Sequence, residues 1–125
     1  MNKTRQEYLN TAVEKTRGRG QSRDAAGCVY RRHDGPGCFI GCQDGFPKEL
    51  GLYEGTVFTL IEEKNKWFMA WIGEVSDYEI CYMTDLQYLH DNGSWAEDGT
   101  IAQAQVDAFA EKWDLDAPCT AVEAA

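Results

Sequence analysis

The chain's 125 residues suit a single domain with one core, and a 43% hydrophobic, 12% aromatic composition excludes wholesale disorder. The opening MNKTRQEYLN lacks the apolar run of roughly 7–15 residues that a secretory signal uses, and no stretch reaches the about 20 apolar residues of a membrane span, so we expect a cytoplasmic protein. The net charge of −9 is uneven: residues 1–50 sum to +3 and 51–125 to −12, which predicts a dipolar molecule with an acidic C-terminal half.

Residues 3–16 place Tyr8, Leu9, Ala12 and Val13 at helical spacing, which predicts an amphipathic helix within 1–17 that Gly18 and Gly20 end. The linker RGRGQSRD is basic, but two Arg-Gly pairs make a solvated connection rather than an RNA-binding tract. Next come Cys28-Val-Tyr30 and Cys38-Phe-Ile40, two short β-favouring runs flanking the turn formers RRHDGPG. They predict a β-hairpin over 27–42. Phe46-Pro47 then opens a helical turn closed by Gly51.

Thr56 is placed to cap a helix over VFTLIEEKN, although VFTLI also suits a strand. Trp67 to Ile72 is the most apolar run and reads as core, in a helix or a buried strand. Thr84 or Asp85 is placed to cap a short helix LQYLHDN that Gly93 stops. Thr100 is expected to start a helix over 100–113 with Val106, Phe109, Ala110 and Trp113 as its apolar stripe, followed by a loose tail over 118–125. The fold class these elements predict is α+β: a small single domain, 1–125, with a cysteine-containing β-hairpin packed against several short helices.

The five cysteines (28, 38, 42, 81 and 119) are odd in number and accompany no export signal, which points to reduced thiols. Two kinds of chemistry can be drawn from them. Zinc would take Cys28, Cys38 and Cys42 with His90 or His33 as fourth ligand, yet the spacing of the cysteines lacks paired knuckles, and buried structural thiols are the simpler reading. Thiol catalysis would use Cys28 or Cys38 as nucleophile and His90 as base. Asp91 is then a poor orienter, because neighbours on a helix diverge by about 100°, leaving Asp85 or Asp107 for that role.

Cys28-Val-Tyr30-Arg31, Cys38-Phe-Ile40-Gly41-Cys42 and Leu86-Gln87-Tyr88-Leu89-His90-Asp91 give the chain a pattern C-x-Y-R, C-x-I-G-[CH], L-Q-x-[IL]-H-D. In this it resembles a group of small proteins encoded by bacteriophages and prophages. The group often continues L-I-P-D after its last cysteine, where this chain has Gln43-Asp44-Gly45-Phe46-Pro47. The resemblance implies a cytosolic phage-type protein acting in the host cytoplasm and supplies no catalytic residue.

Glu97, Asp98, Asp107, Glu111, Asp114 and Asp116 concentrate acid near the last helix, and rows of carboxylates reproduce the field of a phosphate backbone. The expected function is that of a non-catalytic interaction protein without a cofactor. Asp107, Glu111 and Asp114 would engage a host protein, for instance a nucleic-acid-binding or defence factor, and neither nucleic acid nor membrane would be bound directly. The alternative is a small thiol- or zinc-dependent enzyme using Cys28, Cys38 and His90.

Overall fold

The structure, a computed structural model, describes residues 1–24, 27–28, 30, 37–53 and 55–122, with the backbone alone at 23, 24, 27 and 28. Helix α1 (Arg5–Thr16) starts at a capping box in which the Thr4 hydroxyl accepts from Glu7 N–H and the Glu7 carboxylate accepts from Thr4 N–H. It buries Tyr8, Leu9, Ala12 and Val13, the predicted stripe. Helix α2 (Val57–Glu62) is capped by Thr56, as its sequence predicts. Asn65 caps α3 (Lys66–Ile72), which buries Phe68 and Ile72 but leaves Trp67 exposed, so the apolar run is only partly core.

Helix α4 (Asp77–Asn92) is the longest element. It begins well before the expected cap at Thr84 or Asp85, because Ser76-Asp77-Tyr78-Glu79 forms a second capping box; a Ser followed three residues later by Glu is a helix-start signal that outranks an interior Thr. Its buried face carries Tyr82, Met83, Leu86, Gln87 and His90, and it packs against both α2 and α5. Helix α5 (Gln103–Trp113) starts later than Thr100, since Ile101 pairs in an isolated bridge with Trp95. At its far end Asp114 adopts the left-handed conformation. Beyond it Thr120 is buried, and the Gln103 side chain bonds both Pro118 O and Thr120 N–H.

The predicted α+β fold is not what forms: among the described residues the domain is helical, with strand limited to the two-residue segments β1 (Arg23–Asp24) and β2 (Gly27–Cys28). Nor do the described residues of 27–42 form the predicted cysteine hairpin. Cys28 pairs with Arg23, and Cys38 to Cys42 curls into a helical turn closed by Cys42 N–H to Cys38 O at 2.9 Å. Of the predicted turn over 31–37, residues 31–36, with His33, lie outside the described residues.

Burial is incompatible with the half-exposed strand of a small hairpin. Cys38, Phe39, Ile40, Gly41 and Cys42 are consecutive and all buried, whereas a half-buried strand hides only alternate residues. A turn enclosed by core on every side satisfies such a run. Gly41 makes it possible: a Cβ there would lie 1.9 Å from Tyr30 O, the carbonyl that accepts from Cys38 N–H at 2.8 Å. Gly41→Ala is therefore expected to cost at least about 1–3 kcal/mol, read as a lower urea midpoint at unchanged slope. Parental stability in this variant would mean that the backbones do not approach so closely.

The α4 capping box carries a pH dependence. Acceptance from Ser76 N–H holds the Glu79 carboxyl below its ordinary value of 4.5. A carboxyl whose folded pKa is depressed stabilises the fold above its unfolded pKa, and that contribution disappears as pH falls through the folded value. Gln at this position can keep the capping bond but cannot titrate. Thermal melts of Glu79→Gln should show it less stable than the parent at neutral pH, with the gap closing well below about pH 4.

Candidate functional site

The chemically unusual residues gather where the C-terminal end of α4 meets the cysteine turn. His90 is fully buried, with its ring edge-on to Phe39 and to Trp95 at centroid distances of 5.3 Å each. Its Nε2 accepts from Ser22 N–H at 3.0 Å, so the ring proton sits on Nδ1 and is donated to Asp91 Oδ1 at 2.7 Å. Asp91 thus does orient His90, against the expectation from helical divergence. The 100° step separates the Cβ directions, but Nδ1 and Oδ1 each lie only two bonds from Cβ and reach sideways to one another in the last turn of the helix. Asp85 and Asp107 do not serve: Asp85 accepts from the Trp113 indole at 2.7 Å and pairs with Lys112 at 3.0 Å, while Asp107 accepts from Gln103.

Of the predicted cysteines, Cys38 and Cys42 are buried in the turn, and the Cys28 side chain lies outside the described residues. Gly41 N–H donates to Cys38 Sγ at 3.3 Å. Burial pushes the Cys38 thiol well above its ordinary range, an effect that the Gly41 N–H only partly offsets. A buried thiol held protonated is a poor nucleophile. His90 in this arrangement has no lone pair to offer a metal or a substrate, and among the described residues no three His, Cys, Asp or Glu side chains converge as metal ligands.

Gln21 completes the cluster, its side-chain amide donating to the His90 and Asp91 carbonyls at 2.9 and 2.8 Å, and the Trp95 indole donates to His90 O at 3.0 Å. No sequence signal marked Ser22, Gln21 or Trp95 as partners of His90. The geometry is that of a polar knot pinning the irregular segment before β1 to α4.

The predicted partner-binding residues are arranged otherwise. Asp107, Glu111 and Asp114 are all exposed, and their four- and three-residue spacing aligns them on one face of α5 and its cap. Comparison with known proteins adds no relative: no protein family, curated protein or solved structure matches the chain. Among the described residues no helix is long and apolar enough to cross a membrane.

Differential burial of the thiols gives a direct check. Cys81 and Cys119 are exposed, so a maleimide followed by site-resolved mass spectrometry should modify them within the mixing time. Cys38 and Cys42 should react only at the rate of unfolding. Rapid native labelling of Cys38 would reopen a role for it as a nucleophile.

Proposed function

We propose that the protein is a non-catalytic interaction protein whose acidic α5 face occupies a basic surface on a partner, of the kind that ordinarily binds nucleic acid. The observation that carries this reading is the placement of Asp107, Glu111 and Asp114 in one exposed line. Glu111 and Asp114 stand at the C-terminal end of α5, where the helix macrodipole already concentrates negative potential and acidic groups cost stability. Lys112, the one cation of the helix, is drawn off to Asp85, so it does not neutralise the line. Such a field speeds association with a basic partner and makes it salt-dependent. The resemblance to phage and prophage proteins points to a host protein as that partner.

The test is displacement of labelled oligonucleotides from a panel of basic nucleic-acid-binding proteins of the host. The protein is expected to displace the oligonucleotide from at least one of them, less effectively as salt rises. The triple variant Asp107→Asn, Glu111→Gln, Asp114→Asn should associate about tenfold more slowly at a melting temperature no lower than the parent's. A triple variant as effective as the parent would overturn the proposal.

A further inference from the structure

The opposite flank of α5 carries a surface that neither the buried knot nor the acidic line uses. Two adjoining depressions, of about 560 and 280 Å³, run over the outer face of α4 between α2 and α5. Both are bordered by Asp85, Tyr88 and Lys112; Phe58 and Trp113 wall the larger, Leu89 and Phe109 the smaller. Phe58 is 55% exposed and Tyr88 64%, a large solvent exposure for aromatic rings on helices that bury Val57, Leu60, Tyr82, Met83 and Leu86. We infer that this groove is a docking site for a basic, amphipathic helical segment of another protein, an inference that rests on the reading of the molecule as a binding protein for a basic partner.

Shape, charge and area select that occupant. Cys81, Asp85, Tyr88 and Asn92 follow one another along the outer face of α4 and border the groove. They span about 16 Å at 1.5 Å per residue, three turns of a helix lying alongside, which suits anchors at i, i+4 and i+7. The groove's one lysine, Lys112, is already paired with Asp85. Acidic residues flank it instead: Asp77 lies one turn before Cys81 and Glu62 one turn after Phe58, both exposed, while Arg5, beside Trp113, is held by Tyr78 OH and Trp113 O. A second copy of the chain would bring another −9 charges to this acidic rim. The exposed parts of Phe58 and Tyr88 amount to on the order of 250 Å², short of the roughly 800 Å² per partner of a standard interface but adequate to anchor one helix.

The probe is a labelled peptide of about fifteen residues with Leu at i, i+3, i+4 and i+7 and Lys elsewhere, followed by fluorescence anisotropy. Its controls are a scrambled sequence of equal charge and a version with Glu for Lys. The amphipathic basic peptide should bind, the scrambled one at least tenfold more weakly, and the acidic one not at all. Phe58→Ser and Tyr88→Ser, both at exposed positions and so expected to fold, should each weaken binding about tenfold. The triple change of Asp107, Glu111 and Asp114 should leave the loss on scrambling intact. Equal binding of the scrambled peptide, or full binding by Tyr88→Ser at an unchanged melting temperature, would overturn the groove while leaving the acidic-face reading standing. Self-association in sedimentation that Tyr88→Ser abolishes would assign the groove to a second copy, and binding to anionic vesicles that Tyr88→Ser abolishes would assign it to a lipid surface. Either outcome also overturns the proposal.

Discussion

A chain that buries long irregular segments must find a hydrogen-bond partner for every peptide group it removes from water. In this fold, side chains meet that requirement where secondary structure does not. The Gln43 amide donates to Tyr8 O and Phe39 O at 2.9 Å each, tying α1 to the cysteine turn. Gln87 Oε1 accepts from Val57 N–H at 3.0 Å, fixing the start of α2 on α4. His90 and Gln21 do the same between α4 and the segment before β1. Each bond contributes only about 1 kcal/mol net, but a buried group left without one costs about 1–3 kcal/mol. The polar residues inside this core therefore specify where the irregular chain lies more than they add to total stability.

That use of His90 bears on function. Histidine beside a carboxylate in a chain with five cysteines suggests chemistry, yet the ring's lone pair and proton are both committed to the scaffold, and burial raises the pKa of the Cys38 thiol. General acid–base work needs a group within reach of a substrate proton and free to exchange its own. Among the described residues His90 and Cys38 thus serve the scaffold, and on the proposed reading function lies on the acidic line and the groove that flank α5.

How much of this was legible in the sequence depended on whether the signal was local. The apolar stripe of α1, the Thr56 cap of α2 and the stripe of α5 are each written within a dozen residues, and the structure has all three helices. The capping box of α4 was equally local, but the weaker Thr84 signal drew the start of that helix too late. The hairpin failed for a different reason. Two β-favouring runs around a turn describe what the segment would do with one face in water, and this segment has none: Phe39 and Ile40 are both fully buried, and Gly41 lets another stretch of backbone take the place of a side chain. Tertiary enclosure overrode local propensity. The Ser22–His90 bond joins residues 68 apart, and nothing in either neighbourhood announces it.

A sequence specifies one structure when its local choices agree with the global fold, and departures from that agreement are the places to look for function. The Gln43, Gln87 and His90 side chains do not depart from it, because their bonds serve buried backbone groups. Two surface features do. Acidic residues at the C-terminal end of α5 oppose its macrodipole, and aromatic rings on α2 and α4 stand in water although both helices already have a complete buried face. Neither helps the isolated domain fold. On the proposed reading both would become favourable against a positively charged, partly apolar surface, and that shared requirement is what joins them.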